Sequence, residues 1–449
     1  LLLVICMVFS LLPMVSAAEK YDEIGSGKTV ILHSNDVHGE ITGYAYMKAL
    51  KTKLEAAGAE VILADAGDYS QGETSVSLTK GANAVDMMNA VGYDVVTLGN
   101  HEFDYGYPQL MENMNKANFK VLCADVLKED GSPIFDANTI IEKGGVKIGF
   151  FGLETPETQT KANPALIKGL TFLTESTETT IWENAQTQVN ALKASGADIV
   201  VCLAHLGVDA SSEPYRSYDL YSKVTGIDFI IDGHSHTVME KGDKGEPIQS
   251  TGTKFANIGV IVIDNATKKI EANYLVATGE NGFNEKDETV LAKAQGILDA
   301  IKAEYGVKFA TSEVELNGAK EPGNRTEETN NGDLITDAMV WCLTEKYPGS
   351  ITEVDADHIV AITNGGGIRA AVKKGDVTKN DIFTVLPFGN TVAVVYVTGA
   401  ELLEALEAST YCTPISLGGF PQVAGLKFTV DADVEYDKNP GTYPGSTYY

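Results

Sequence analysis

Five short segments of this chain carry the side-chain types that bind divalent metal ions. Most of the seven histidines fall inside them, and each segment follows an apolar run that predicts a strand. Carboxylate and amide oxygens mixed with imidazoles suit a pair of ions such as Zn, Mn, Co or Fe. Their chemistry would be the activation of water against a phosphate ester. The segments are Asn35-Asp36-Val37-His38, Ala66-Gly67-Asp68, Gly99-Asn100-His101-Glu102-Phe103-Asp104, Ala204-His205-Leu206 and Asp232-Gly233-His234-Ser235-His236.

The first two segments place carboxylates just past predicted strands. Asp36 and His38 are two residues apart, so both side chains can point the same way. An ordinary turn explains a lone Asp-x-His pair about as often. Asp68 can bridge two ions through its two carboxylate oxygens, although Ala-Gly-Asp alone is also a common turn. These residues therefore count as members of a set.

The third segment is more specific. Asn100 offers a neutral amide oxygen as a ligand, and His101 remains available for acid or electrostatic work. Asp104 lies three residues further on and can orient His101. The alternative, a structural loop histidine, explains His101 poorly in this company.

Three further histidines follow predicted strands in the same part of the chain. A buried structural histidine would explain His205 alone, but not His205, His234 and His236 together. Asp232 is better explained as a turn residue or as a support for the ligands than as a ligand. By residue type, two four-coordinate sites that share Asp68 can be filled without remainder.

The composition predicts an acidic globular protein with two domains. The chain has 449 residues and a formal net charge of −28, and its length exceeds one typical domain. A surface this acidic repels nucleic-acid backbones, which argues against nucleic acid as a partner. Any phosphate site must be made locally positive by metals and arginines. Cys123, Cys202, Cys342 and Cys412 are isolated, which argues against a zinc knuckle and leaves their disulfide state open.

Residues 1–18 have the pattern of a partial secretory signal peptide. Residues 1–12 are an apolar run, and Val15-Ser16-Ala17-Ala18 supplies the small residues of a cleavage site. The alternative is a membrane anchor, for which the run is short. We therefore predict export to the periplasm, the cell surface or the medium, without stable membrane insertion.

The elements that would position the five segments alternate in an α/β pattern from residue 29 to about 274. Several predicted strands are continuous apolar runs, which indicates a sheet buried on both faces. Loops after such strands are where α/β layers usually place chemistry. The predicted strands are 29–33, 61–65, 95–98, 146–152, 199–203 and 229–231, and a predicted helix is 46–57.

A second α/β segment follows from about residue 306. Apolar residues at helical spacing predict a linking helix within 281–305, after a glycine-flanked break. Further along, the pattern predicts a helix at 333–346 and strands at 359–363 and 392–397.

Together, the five segments resemble the calcineurin-like metallophosphoesterase superfamily. With the C-terminal motifs, the chain is similar to the secreted bacterial 5′-nucleotidases and UDP-sugar hydrolases over residues 31–425. The resemblance implies an α/β fold, with a four-layer β-sandwich metallophosphoesterase domain at 27–280 and a smaller α/β substrate-binding domain at 306–449. It also implies one metal on Asp36, His38, Asp68 and His236, a second on Asp68, Asn100, His205 and His234, and a catalytic dyad of His101 and Asp104.

Two arginine-bearing segments resemble the family's phosphate-binding elements. Arg325 begins one of them, and Arg369 ends Asn364-Gly365-Gly366-Gly367-Ile368-Arg369. Glycines allow close backbone approach and arginine holds phosphate through a forked contact, whereas a lone Asn-Gly-Gly-Gly is a flexible turn. The expected substrate-binding residues are Arg325, Asn364, Gly366, Arg369 and Phe420.

Phe420 is expected to stack on the nucleobase, although an aromatic between glycines could equally plug a core. The segment Leu386-Pro387-Phe388-Gly389-Asn390 is expected to be structural. Relatives carry a second stacking aromatic in a Gly-Gly-Asp-type segment, and nothing in this chain matches it. We therefore expect the C-terminal domain to be truncated and the natural protein to extend beyond both ends of the chain.

The sequence predicts a secreted two-metal hydrolase of nucleoside 5′-monophosphates, and UDP-sugars are equally compatible. Water or hydroxide on the metal pair would attack phosphorus in line, while His101 and the arginines stabilise charge. One alternative is a 2′,3′-cyclic-nucleotide 2′-phosphodiesterase with 3′-nucleotidase activity, which shares the metal half. Another is a non-catalytic surface binding protein on the same scaffold, which predicts lost ligands. The native metal, the preferred nucleotide and the oligomeric state are left open.

Overall fold

A computed structural model of the chain describes residues 20–434. The predicted signal peptide therefore lies outside the described residues. The strands are β1 Lys28–Ser34, β2 Glu60–Asp65, β3 Val95–Thr97, β4 Lys120–Leu122, β5 Val126–Lys128, β6 Asn138–Lys143, β7 Val146–Glu154, β8 Leu170–Phe172, β9 Ile199–His205, β10 Phe229–Asp232, β11 Val238–Met239, β12 Ile248–Thr251, β13 Asn257–Asp264, β14 Lys269–Ala277, β15 Lys308–Ser312, β16 Ala361–Asn364, β17 Gly375–Thr378 and β18 Pro421–Ala424.

Helices connect these strands and flank them. They are α1 Tyr44–Ala56, α2 Thr74–Ser77, α3 Ala82–Val91, α4 Tyr107–Met114, α5 Thr158–Lys161, α6 Ile181–Ala194, α7 Ser217–Lys223, α8 Glu288–Tyr305, α9 Asn330–Trp341, α10 Lys379–Val385 and α11 Gly399–Thr410. Between residues 20 and 434, no helix is long and apolar enough to cross a membrane.

Two six-stranded sheets pack face to face in the N-terminal part of the chain. Their strand orders are β14-β13-β1-β2-β3-β4 and β11-β12-β10-β9-β7-β6. Strands β1 to β4 are parallel, as are β7, β9, β10 and β12. The layer between the sheets is closed by buried residues that include Ile31, Ile62, Phe150, Val201, Leu203, Phe229 and Ile261.

Helices cover the outer face of each sheet. Alternate residues of β1 explain the arrangement, because Ile31 faces the second sheet while Val30 and Leu32 face helices. Helices α1, α3 and α8 cover the first sheet, and α6 and α7 cover the second. The order helix, sheet, sheet, helix confirms the predicted four-layer sandwich.

The C-terminal part is smaller and carries the arginine segments. Strand β15 pairs with β17, and β16 pairs with β18, each antiparallel. Helix α9 packs on the second pair. The core of the C-terminal part contains Ile335, Ile368, Val372, Val377 and Val385.

Most predicted elements form close to their expected positions. The linking helix is α8, which begins after Asp287, whose carboxylate accepts the backbone N–H of Val290 at 2.9 Å. Its Val290 and Ala294 are buried in the core of the first sheet. The helix predicted at 333–346 begins earlier and ends at Trp341, followed by one wider turn at Cys342–Lys346.

One predicted element is wrong. Residues 392–397 form no strand, and Val392, Val395 and Val397 are exposed. β-Branched residues favour a strand where a neighbouring strand supplies hydrogen bonds and covers one face. Within 20–434 no strand pairs with this segment, so its strand propensity does not produce a strand.

Candidate metal centre

The polar segments converge because they follow parallel strands of the two packed sheets. Parallel strands end at a common edge, so the loops after β1, β2 and β3 meet those after β9 and β10. Backbone bonds tie the first two loops together. The N–H of Asp36 donates to the Gly67 carbonyl at 2.9 Å, and that of His38 donates to the Asp68 carbonyl at 3.0 Å.

Five of the predicted ligands have left-handed backbone conformations. Their φ values run from 46° at His38 to 77° at His234, with Asp36, Asp68 and His236 between. Such values are uncommon outside glycine, and they cluster at functional sites. The sharp turns aim successive side chains into one volume.

The ligand atoms form two groups. Asp36, His38 and His236 make one, Asp68, His205 and His234 make the other, and within each group the atoms lie within 4.8 Å of one another. Asp68 lies between the groups, because its Oδ2 is 3.1 Å from His205 Nε2 and 3.7 Å from His38 Nε2. This is the position that a bridging carboxylate requires.

The first group presents two imidazole nitrogens and a carboxylate. His38 Nε2 lies 3.0 Å from His236 Nε2, and His236 Nε2 lies 3.4 Å from Asp36 Oδ1. The other ring nitrogen of His38 faces the Gln71 carbonyl oxygen at 3.1 Å. That contact makes Nδ1 the protonated nitrogen and leaves Nε2 free for an ion.

The second group lies beside an unsatisfied amide oxygen. His205 Nδ1 lies 2.7 Å from the Ala66 carbonyl oxygen and Nε2 faces the Asp68 carboxylate, while Asn100 Oδ1 is buried and has no hydrogen-bond partner among the described residues. Burying such a group unpaired costs free energy. A cation would satisfy this oxygen, so the residues present fit a divalent metal, with Asn100 added to the group.

Three of the ligand histidines are held neutral, as metal binding requires, whereas the pKa of His205 is raised because the Asp68 carboxylate outweighs the effect of burial. Burial lowers the pKa of His38, lowers that of His234 to about 4 and lowers that of His236 to about 3. Neutral imidazoles and ionised carboxylates are the forms that bind ions. Burial opposes ionisation of Asp68, but the neighbouring histidines, His205 foremost, hold its pKa well below the usual range.

His101 and Asp104 form a pair beside the metal groups. His101 Nδ1 lies 2.7 Å from Asp104 Oδ2, and the His101 backbone N–H donates to Asp68 Oδ1 at 3.0 Å. Burial lowers the pKa of His101, but the carboxylates of Asp104 and Asp68 outweigh it and the net shift is upward. The net shift favours the protonated form of His101.

Glu102 is a functional residue that sequence reasoning missed. Its carboxylate is buried and accepts four backbone N–H groups: Oε2 those of Asp68 (2.8 Å) and Gly99 (2.6 Å), Oε1 those of Tyr69 (3.0 Å) and Ser70 (2.9 Å). It therefore joins the loop of the bridging ligand to the loop of Asn100. The only sequence signal was a carboxylate next to a candidate histidine.

Asp232 supports the centre without joining either ligand group. It is fully buried, and its Oδ1 accepts the Ser217 hydroxyl at 2.5 Å and the Gly207 N–H at 3.1 Å. These contacts hold the loops after β9 and β10 together.

Arg369 and Phe388 face the metal centre from the C-terminal part. The Arg369 guanidinium carbon lies 5.8 Å from the centre of the Phe388 ring, which stacks on His101 with centroids 5.7 Å apart. Burial lowers the pKa of Arg369, and the carboxylates of Asp68 and Asp104 oppose that shift. Phe388 belongs to the segment expected to be structural, so the fold brings an unexpected aromatic to the site.

Arg325 lies beside Arg369. Burial and the charge of Arg369 lower the pKa of Arg325 to about 10. No carboxylate among residues 20–434 forms an ion pair with either guanidinium, so the two provide the local positive charge that an acidic chain needs around a phosphate.

The remaining predicted substrate residues hold a loop. Asn364 Nδ2 and the Gly366 N–H both donate to the Gly418 carbonyl, at 3.2 and 2.8 Å. Phe420 ends that loop and is 6% exposed. Its stacking on a base stays a prediction.

Comparisons with known proteins agree with this geometry. Residues 29–238 match the family model of calcineurin-like phosphoesterases, and residues 308–439 match that of the 5′-nucleotidase C-terminal domain. The chain is 30% identical to the snake venom 5′-nucleotidase of Crotalus adamanteus, over 91% of this chain and 74% of the relative. It is 29% identical to the trifunctional nucleotide phosphoesterase protein YfkN of Bacillus subtilis, over 89% of this chain but only 29% of that protein's length.

A solved structure supports the same family assignment. The crystal structure of a 5′-nucleotidase precursor from Thermus thermophilus matches with a TM-score of 0.73 and 26% identity, over 91% of this chain and 83% of that one. The ligand groups, the two domain matches and the relatives lead to one conclusion. The chain belongs to the 5′-nucleotidase family of metal-dependent phosphoester hydrolases.

Proposed function

We propose that the chain removes phosphate from nucleoside 5′-monophosphates with the help of two divalent ions. The observation that supports this most is the convergence of Arg369 and Phe388 on the His101–Asp104 pair beside the ligand groups. An anion-binding arginine and an aromatic ring at the same centre suit a substrate with a phosphate and a base.

Each ion would have its own ligands and one shared carboxylate. When bound, the ions would activate water and neutralise charge on the phosphate. Any of Zn, Mn, Co or Fe suits these donors. Asp36, His38, Asp68 and His236 would hold one ion, and Asp68, Asn100, His205 and His234 would hold the other.

Protein side chains would bind the phosphate and stabilise the charge that develops on it. Arg325 and Arg369 would bind and orient the phosphate, because their charges lie together opposite the metal centre. His101, held by Asp104, would donate from Nε2 to the phosphoryl oxygens as charge develops on them.

The nucleoside would rest against the aromatic surface to which Phe388 contributes. Phe388 is half-buried and lies within the site, whereas Phe420 is nearly buried in this conformation. Asn364 and Gly366 would act indirectly, since they hold the loop that ends at Phe420.

We also propose a domain division at 27–280, 281–305 and 306–449, and export directed by residues 1–18. The apolar run and the small residues at 15–18 support export. N-terminal sequencing of protein from the medium or the cell envelope tests it. Cleavage near Ala18 is expected, and an uncut chain retained in the cytoplasm would contradict it.

The proposed reaction is tested by phosphate release from AMP, 2′,3′-cyclic AMP and UDP-glucose, with chelator and with Mn²⁺ or Zn²⁺ restored. Metal-dependent release from AMP is expected. The matched variants are His101→Ala and His358→Ala, because His358 makes the same kind of His–Asp pair, with Asp355, on the exposed surface. Only His101→Ala should lose activity.

Two outcomes would overturn the proposal. Protein that holds metal but releases no phosphate from AMP would exclude a 5′-nucleotidase. Release from the cyclic nucleotide alone would favour the phosphodiesterase alternative.

A further inference from the structure

A half-buried carboxylate outside the two ligand groups contacts one of the ligand histidines. Glu157 Oε2 lies 2.7 Å from His234 Nε2, and their side chains are 17% and 8% exposed. Glu157 directly precedes α5, in the connection that follows β7. Because Nε2 is engaged by Glu157, Nδ1 is the nitrogen that His234 can offer to an ion.

His234 differs in this respect from two other ligand histidines. The second ring nitrogens of His38 and His205 face neutral backbone carbonyls, those of Gln71 at 3.1 Å and Ala66 at 2.7 Å. A carboxylate partner fixes the tautomer as a carbonyl does, and it also raises the basicity of the nitrogen that binds metal. His234 therefore has a stronger supporting contact than His38 or His205.

Lys161 shares the same carboxylate oxygen from the solvent side. Its Nζ lies 2.6 Å from Glu157 Oε2 and 3.1 Å from His234 Nε2, and its side chain is 48% exposed. The positive charge of Lys161 partly neutralises the Glu157 carboxylate, so Lys161 should weaken the effect of the carboxylate on the basicity of His234.

We propose that Glu157 is a positioning residue for the second metal site, an inference that rests on the two-metal function proposed above. Glu157 accepts the His234 Nε2–H, holds the ring in the tautomer that presents Nδ1, and so sets the affinity of this site for its ion. Lys161 limits that affinity by neutralising part of the charge.

The test is a calorimetric titration of the chelator-stripped full chain with Mn²⁺ alone. For Glu157→Ala we expect one of two binding steps to weaken by about 10–100-fold, the usual cost of removing an outer partner of a metal ligand. Glu157→Gln keeps an acceptor oxygen and should lose less. Lys161→Met should bind Mn²⁺ more tightly than wild type, and unchanged affinity would contradict the role given to Lys161. Repeating the titration in a His236→Ala background isolates the second site.

The control is Glu112→Ala. Glu112 and Lys116 make the same four-residue Glu–Lys pair at 2.9 Å, on an exposed helix surface away from the ligands. It removes an equivalent ion pair and should leave both binding steps unchanged.

A wild-type isotherm for Glu157→Ala would overturn the inference, and so would equal weakening of both steps with a lower melting temperature, which marks a merely structural role. If Glu157→Ala fails to fold, Glu157→Gln decides by the same criterion. Saturating Mn²⁺ should restore kcat on AMP in Glu157→Ala, which loss of a substrate contact would not allow. A wild-type chain that binds two Mn²⁺ but leaves AMP intact would refute the proposed function and not this inference.

Discussion

Replacing Gly99 by alanine should disable the metal centre, although the φ and ψ of Gly99 itself suit any residue. Gly99 has φ −112° and ψ 180°, extended values that any residue adopts. A Cβ built there lies 2.3 Å from Asp68 Oδ1 and 2.7 Å from His205 Cε1. The added methyl group therefore meets the Asp68 carboxylate and the His205 ring directly.

The size of the effect follows from that overlap. A carbon–oxygen contact is ordinarily about 3.3 Å, so the Asp68 carboxylate must retreat by about 1 Å. That movement breaks its 3.0 Å bond from the His101 N–H and spoils the bridging position. Misplacement on this scale costs about 100-fold in rate, or about 2.7 kcal/mol in the barrier. We expect kcat/KM to fall by about that factor.

The assay is phosphate release from AMP at saturating Mn²⁺, together with metal content and the melting temperature. The matched control is Gly296→Ala, because Gly296 lies in α8 with no atom within 4 Å of the added Cβ. Alanine there should keep full activity and stabilise the helix by up to about 1 kcal/mol. Gly99→Ala protein with wild-type metal content and wild-type kcat/KM would refute the reasoning.

Three further predictions concern a backbone anchor, a buried histidine and the aromatic surface. Glu102→Gln turns one acceptor oxygen into a donor that faces two N–H groups, so urea unfolding should show a loss of roughly 2–4 kcal/mol, and a change below about 1 kcal/mol would contradict the anchoring role. Burial lowers the pKa of His33 to about 4, so the unfolded chain binds a proton between pH 6.5 and 4 that the folded chain does not. The resulting stability is complete above pH 6.5 and falls by about 3 kcal/mol as the pH drops to 4. Urea unfolding with chelator should show a shallower pH dependence in His33→Gln, and equal slopes would count against it. Phe388→Ala should raise KM for AMP roughly tenfold, and more than Phe420→Ala does. If steady-state kinetics show a larger rise in KM for Phe420→Ala than for Phe388→Ala, Phe420 is the residue that stacks on the base, as first expected.

Local pattern predicted the strands and the candidate metal ligands, whereas the four-layer arrangement was predicted from the family resemblance. Continuous apolar runs such as Val61 to Leu63 announce strands buried on both faces, and β2 is buried in this way. Polar residues directly after such strands then have to share an edge of the fold. Asp36, His38 and Asp68 were predicted on that basis, and they lie where two ions could be held.

Local pattern failed where a contact depends on residues that are far away in the sequence. The run at 392–397 has strand propensity, but no strand pairs with it among residues 20–434. Phe388 looked structural until the packing of the C-terminal part placed its ring against His101. Glu102 and Glu157 act through hydrogen bonds to other segments, which spacing along the chain does not reveal.

Sequence alone thus determined the α/β class, the family and the candidate metal ligands, because each depends on residue type and short-range patterns and motifs. Only the tertiary structure decided which oxygen of Asp68 lies between the two groups, which ring nitrogens are free, and which carboxylates support the ligands. Those properties depend on distances between residues far apart in the chain. The close packing of the two sheets sets these distances, and no local pattern encodes that packing.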